Sequence, residues 1–484
     1  ARHMGKLPDL HAITEKGTRQ KAAELGTAGD FYGLPIGETV LGRKGLFTSV
    51  EDLMVAIWGP RTGKTTSLAV PWILAAPGAV VATSNKRDLW DTTSQLRRDR
   101  FGTVWGFDPQ GIAEQKPTWW WNPLSYVVDG ATAATLAGHF ASGSRAGLAP
   151  GDAHPDPAAE DLLAAFFLAA ASGRFSITRV LDWLTSPDKD APEAVGLLER
   201  AGFPAIARSL QGTLHITNKQ RDGIFGTASQ MVACLKNEKF VPWITRVSAF
   251  DARPQFDPHA FARSRDTLYL MSKEGKGTAT PIVTALTAAT IEAAEQYATG
   301  QPGGRLTVPL VGVLDEAANV CRWAELPNLY SHFGSRGILL ITILQSWSQG
   351  CDVWGESGMK KLWSAANAKS YGGGVDEIGF LKDFSDLIGP YEHVTLSSSS
   401  GPGGRTNQVG ATSEPILDAS DLAAWPRGRA IVKASGMPAV LVRTVPWMAG
   451  PHAQAVRDGL AQATHRPDAP TSDDNPWLTK GNAA

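Results

Sequence analysis

A chain of 484 residues has room for two or three domains of roughly 100–200 residues and for a sizeable buried core. Its 46 Lys plus Arg against 47 Asp plus Glu exclude a uniformly basic nucleic-acid surface, and any such contact must come from a local patch in a pore or groove. Cys234, Cys321 and Cys351 share no metal-like spacing and are odd in number, so they read as small buried hydrophobes in a reducing compartment, and no apolar run approaches the roughly 18–20 residues of a membrane span.

Residues 1–4 read as a cloning scar, with natural sequence resuming near Gly5 and the chain as the soluble part of something longer. From Leu53 to Asp108 short apolar runs alternate with helix-like segments: strand 53–58, a glycine loop, helix 64–75, strand 79–83, helix 86–99 and strand 103–108. This order predicts a parallel sheet. The region of about 125–250 is rich in Ala and Leu at helical spacing, as in E-D-L-L-A-A-F-F-L-A-A-A, and predicts an all-helical insertion in which 143–157 is a flexible connection.

The alternation then resumes with strand 267–271, helix 280–298, strand 308–314, helix 321–333 and strand 338–344. The stretch S-S-S-S-G-P-G-G-R-T-N-Q at 397–408 reads as a mobile loop between two hairpin strands, and the polar residues after about 451 as disordered. The fold class is therefore α/β, a mostly parallel nucleotide-binding domain with helices on both faces and an inserted all-α domain. Residues 5–124 and 251–450 form its two parts, 125–250 the insertion and 451–484 the tail.

Within the first strand–helix junction the chain reads W-G-P-R-T-G-K-T-T-S, residues 58–67, a phosphate-binding loop. Successive backbone N–H groups from Gly59, Pro60, Arg61, Thr62, Gly63, Lys64, Thr65 and Thr66 would surround a β-phosphate, apart from Pro60, which has none to give. Lys64 would reach the β and γ oxygens, and the Thr65 hydroxyl would ligate Mg²⁺. The pattern asks for glycine where Trp58 stands, and Gly59 is expected to make the turn instead. The bland alternative is a chance G-K-T at an ordinary helix start, which the preceding strand argues against.

V-P-L-V-G-V-L-D-E at 308–316 is a buried strand ending in two carboxylates. Asp315 is assigned to Mg²⁺ through its water shell and Glu316 to polarising the attacking water; the competing reading is a solvated helix N-cap. Gln345, at the end of the next strand, would sense the γ-phosphate or orient water. Arg336, in G-S-R-G-I, is the candidate for an arginine finger reaching a neighbouring subunit, with Lys360 and Lys361 as weaker candidates.

Taken in order, W-G-P-R-T-G-K-T-T-S, V-L-D-E, G-S-R-G-I and I-L-Q-S-W-S-Q resemble the TraG/TraD-type conjugative coupling proteins, the coupling ATPases of type IV secretion. A-T-S-N-K-R-D-L-W at 82–90, F-D-P at 107–109, W-N-P-L at 121–124 and L-Y-L at 268–270 extend the resemblance over most of 31–450. It implies a RecA-like motor using ATP and Mg²⁺, a homo-hexameric ring with a DNA-sized channel, and a cytoplasmic position at the inner membrane held by an N-terminal segment or a partner. It further implies single-stranded DNA bound to a relaxase as cargo, docked by the helical domain. Trp58 and the lack of a transmembrane run depart from the family pattern. The W-W-W run at 119–121 reads as core or interface packing, with base stacking as the alternative. Two other readings stand beside this one, an FtsK/HerA-like double-stranded DNA translocase and a cargo receptor with little turnover.

Overall fold

The computed structural model describes residues 3–145, 156–275, 277–401 and 404–464. In chain order the strands are β1 (Leu34–Thr39), β2 (Gly45–Thr48), β3 (Met54–Ile57), β4 (Val80–Ser84), β5 (Val104–Phe107), β6 (Thr267–Met271), β7 (Leu310–Leu314), β8 (Ile338–Leu344), β9 (Ala368–Tyr371), β10 (Pro390–Gly401), β11 (Gly404–Pro415), β12 (Arg429–Ala434) and β13 (Val440–Arg443). Eleven of them form one sheet in the order β2-β1-β13-β12-β9-β3-β8-β7-β4-β6-β5. The run from β9 to β5 is parallel, and the four strands beyond β9 pair antiparallel.

β3, β7 and β8 are buried along their whole length because helices cover both faces, which is why they read as continuous apolar runs rather than alternating ones. One face packs the helices Val70–Ala75 and Asp88–Arg100; the other packs Thr280–Thr299, Leu326–Phe333 and the helical insertion, giving two separate apolar cores. Between β5 and β6 the described residues form helices and irregular segments but no strand, as the Ala/Leu periodicity predicts. Trp119, Trp120 and Trp121 lie at its root and are buried, with Trp119 edge-on to Trp105 and Trp243, so this run packs in the core and offers no surface for stacking bases. Cys234 and Cys321 are buried and Cys351 is half-buried, all as free thiols.

Several elements differ from the sequence reading. The helix expected over 64–75 begins as a π-helical turn, Thr65–Ala69, and becomes α-helical only from Val70. Pro71 explains this: its ring would clash with the carbonyl four residues back in a regular helix, and the wider turn relieves the clash. The helix expected over 321–333 starts only at Leu326 and runs Leu326–Phe333, with Pro327 in its first turn, and a separate short helix, Ala317–Val320, precedes it. The 397–408 stretch is largely ladder, with Ser397 opposite Gln408 and Gly401 opposite Gly404.

The tail is helical over Ala453–Thr464 and packs on Asp88–Arg100, so disorder from 451 is not what the chain does there. Residues 465–484, and most of the connection expected over 143–157, lie outside the described residues. Met4 is buried in the core and the Gly5 amide donates to the Ala439 carbonyl at 2.8 Å, so this start of the chain is part of the fold. Among the described residues no helix is long and apolar enough to cross a membrane.

Candidate nucleotide site

The site forms where β3, β8 and β7, three adjacent parallel strands, reach their carboxyl ends. Past Ile57 the ladder continues for one step, the Trp58 amide donating to the Leu344 carbonyl at 3.0 Å. The chain then turns through two left-handed residues, Arg61 (φ 61°) and Gly63 (φ 93°). Gly59 does not carry a positive φ and is not the turn residue; its role is close approach. Its amide donates to the Gly373 carbonyl at 2.9 Å, and a Cβ built on Gly59 would lie 1.8 Å from the Gly374 carbonyl oxygen.

Trp58 is not in the loop's concavity. It is 1% exposed, its Nε1 donates to Ser370 Oγ at 3.0 Å, and its ring lies on Gly372, where a Cβ would come within 2.1 Å of it. Residues 370–374, the end of β9 and the glycine run after it, thus carry the surface on which the loop rests. This support was missed in the sequence, although the run G-G-G after a short strand was its visible signal. Thr62 Oγ1 donates to the Gly59 carbonyl at 2.7 Å and Thr66 Oγ1 to the Gly63 carbonyl at 3.1 Å, closing the loop on itself. Pro60 and Arg61 are exposed at its tip.

Lys64, Thr65, Asp315, Glu316 and Gln345 come together here. Lys64 Nζ makes a buried ion pair with Glu316 Oε1, and Gln345 Nε2 donates to Glu316 Oε2 at 2.6 Å. Thr65 Oγ1 donates to Asp315 Oδ2 at 3.3 Å, and Thr83 Oγ1 holds the Asp315 main-chain carbonyl at 3.1 Å. Gln345 is itself fixed, its amide donating to Gln349 Oε1 at 3.1 Å, and Glu377 accepts from the Trp347 amide at 2.8 Å. Gln349 and Glu377 are further supports that the sequence reading did not name.

Both carboxylates are buried, at 3% and 4% exposure, and the Glu316 side chain caps no helix amide, so the solvated N-cap reading fails. Glu316 is left-handed at φ 53°, a conformation that costs a non-glycine residue about 1–3 kcal/mol and that the surrounding contacts must hold. Burial pushes the Asp315 carboxyl up to about 6; the nearby Lys64 ammonium opposes this and the Glu316 carboxylate adds to it. Asp315 Oδ1 is buried with no hydrogen-bond partner, the state of a carboxylate oxygen awaiting a cation. Among the described residues no group of three or more His, Cys, Asp or Glu could hold a metal, so a divalent ion here would take Thr65 and Asp315 from the chain and its other oxygens from phosphate and water.

Arg336 is not in this site. It precedes β8, at the opposite edge of the sheet from Gln345, and its Nη1 donates to the Gly304 carbonyl at 3.0 Å. Lys360 pairs with Glu356 at 2.6 Å and Lys361 donates to Asn328 Oδ1 at 2.5 Å, both on the surface away from the carboxylates.

Residues 309–427, the segment that contains Asp315, Glu316, Arg336, Gln345 and the glycine run, match the family described as the TraM recognition site of TraD and TraG. The chain has the fold of the conjugative coupling proteins. It superposes on the bacterial conjugative coupling protein TrwBΔN70 in its trigonal form with sulphate at a TM-score of 0.58 and 15% identity, covering 88% of this chain and 92% of that one. TrwB with a non-hydrolysable ATP analogue, and TrwB with ADP and Mg²⁺, each give 0.54 at 14% identity and 88% of this chain, with 92% and 91% of theirs. At such identities the likeness concerns the fold, which is the RecA-like P-loop domain with a helical insertion. No curated protein matches the sequence. The resemblance to the TraG/TraD type read from the motifs is thus met independently in the fold and in residues 309–427.

Proposed function

We propose that this chain is the ATP-driven coupling protein of a conjugative type IV secretion system, moving single-stranded DNA bound to a relaxase toward the secretion channel. The observation that carries the reading is the convergence of Lys64, Thr65, Asp315, Glu316 and Gln345 at the carboxyl ends of three neighbouring strands. In this reading the loop amides of 59–66 cradle the phosphates, and Lys64 exchanges Glu316 for the β and γ oxygens. Thr65 and Asp315 would hold Mg²⁺, which would supply positive charge to the phosphates. Glu316, freed from Lys64, activates the attacking water, and Gln345 holds that water in line.

Residues 5–124 and 251–450 then form the motor, and the helical residues 125–250 dock the relaxase. The match over 309–427 supports a further protein partner of the TraM kind. Arg336 acts in trans within a homo-hexamer on the cytoplasmic face of the inner membrane, attached through another segment or a partner. The direct test is ATP hydrolysis with and without single-stranded or duplex DNA. Lys64→Ala and Glu316→Gln should each lower a single-strand-stimulated rate by about 100-fold or more. Turnover that survives both changes sinks the site assignment, a preference for duplex DNA points to a double-strand translocase, and tight relaxase binding without turnover points to a receptor.

A further inference from the structure

The W-W-W run at 119–121 is buried, but the loop it carries exposes another ring. The Trp120 amide donates to the Pro254 carbonyl at 3.2 Å, the Phe256 amide donates to the Trp120 carbonyl at 2.7 Å, and the Trp121 amide donates to the Trp243 carbonyl at 2.9 Å. The loop 245–253, T-R-V-S-A-F-D-A-R, is therefore pinned on both sides where the helical insertion returns to the sheet. Arg253 closes it: Nε and Nη2 donate to the two Asp251 carboxylate oxygens at 2.9 and 2.6 Å, and Nη1 donates to the carbonyls of Pro242 at 2.6 Å and Pro117 at 3.1 Å. Asp251 Oδ2 also accepts from the Val247 amide at 3.0 Å, and Ser248 Oγ from the Phe250 amide at 3.2 Å. The turn so held leaves Val247 60% and Phe250 94% exposed, and no other large apolar side chain among the described residues is as exposed as Phe250.

Charge sets the class of partner. The Asp251 carboxylate is neutralised by Arg253 inside the clamp. Arg246, beside Val247, and Lys236 and Lys239, on the segment leading into the loop, are exposed and form no ion pair among the described residues. Lys116, likewise exposed and unpaired among them, joins this group because Arg253 holds the carbonyl of the next residue, while Glu114 and Glu238 are the acids of the same two segments. A protruding ring among unpaired cations suits a strand that offers both unstacked bases and regularly spaced phosphates, since stacking tolerates any base and the cations follow the backbone. We infer that this loop is a contact for single-stranded nucleic acid, in which one base stacks on Phe250 and Arg246 meets a flanking phosphate. The inference rests on the reading of single-stranded DNA as cargo and gives that cargo a place on the chain. Because the clamp has already fixed the turn, little loop ordering opposes binding. A duplex keeps its bases stacked on one another and gains from the cations alone.

The test is fluorescence anisotropy of the whole chain with a labelled oligothymidylate and, separately, with a labelled duplex of equal length, each over a range of salt. Phe250→Ala should weaken oligothymidylate about tenfold, leave the duplex within about twofold and keep the salt dependence, and Phe250→Trp should restore binding. Arg246→Ala should weaken both ligands and reduce the slope of log affinity against log salt for the single strand by about 0.7, the value of one phosphate contact. Both side chains are exposed, so neither change threatens the fold. Equal losses on the two DNA forms for Phe250→Ala overturn the stacking contact. Oligothymidylate binding that both variants leave unchanged overturns the loop assignment while the cargo reading stands. A wild-type chain that binds no oligothymidylate sinks the cargo reading and this inference with it.

Discussion

Glu316 carries three burdens at once: a left-handed backbone, an ion pair to Lys64 and an accepted hydrogen bond from Gln345. Removing one member of a buried ion pair leaves an uncompensated charge, so Lys64→Ala perturbs Glu316 in the ligand-free protein before any nucleotide is added. Sequence pattern made Lys64, Asp315, Glu316 and Gln345 legible, because each ends a buried apolar strand or opens a helix in a fixed order. The left-handed φ of Glu316 and the burial of Trp58 were not legible, since both depend on contacts with residues some 250 to 310 positions away.

His139 gives a separate prediction at this scale. It is buried in the helix Gly130–Ser144, its Nε2 has no partner, and burial pushes its imidazolium pKa down to about 4. A depressed pKa means the unfolded chain binds the proton more readily, so the contribution of neutral His139 is complete above about pH 6.5 and is lost as pH falls toward 4. The loss amounts to about 3 kcal/mol at most. Denaturant titrations at pH 7.5 and 4.5 should show a smaller acid destabilisation for His139→Leu than for the wild type, and equal acid losses would refute the role.

The supporting element of the phosphate loop is the glycine run after β9. Gly374 is left-handed at φ 73° and a Cβ there would lie 2.8 Å from Thr62 Cγ2; Gly436 has the same φ of 73° but open space around it. Alanine at either position costs about 1 kcal/mol of backbone strain. Only Gly374→Ala should also displace the loop, so we expect it to weaken ATP binding about tenfold while Gly436→Ala leaves affinity unchanged. Matching affinities in the two variants would show that residues 372–374 do not position the loop.

This support was hard to see in the sequence because it follows β9, the last parallel strand, where the sheet changes to antiparallel pairing. β7 and β8 announce themselves as continuous apolar runs, whereas β9, β12 and β13 read A-K-S-Y, R-A-I-V-K-A and V-L-V-R, with polar residues in or at the ends of each. β1 finds β13 across most of the chain, Glu38 lying opposite Arg443. Nothing local specifies such a pairing; it follows from closing the sheet beyond β9, with Trp58 and the glycine run packed at the junction. Pro71 is the opposite case, a local signal whose consequence, the π turn, is felt one turn earlier in the helix.

At the scale of the whole molecule the central fact is that Arg336 and Gln345 bound the same strand from opposite ends. β8 alone separates them by about 23 Å at 3.3 Å per residue, so Arg336 cannot serve the site of its own chain. The proposed finger requires a head-to-tail contact in which the amino-terminal ends of one copy's strands face the next copy's nucleotide, a contact that makes a ring where the rotation between copies closes. Complementation tests this without knowing the ring size. Arg336→Ala chains keep a complete phosphate site but lend no finger, whereas Lys64→Ala chains lend a finger but have no working site. Each variant alone should be nearly inactive, a finger being worth about 10³–10⁵ in rate. In an equal mixture about a quarter of the interfaces, one half times one half, pair an intact site with an intact finger, so turnover should recover to about a quarter of wild type. A mixture no more active than the separate variants would remove Arg336 from the mechanism, and full activity of Arg336→Ala alone would do so more simply.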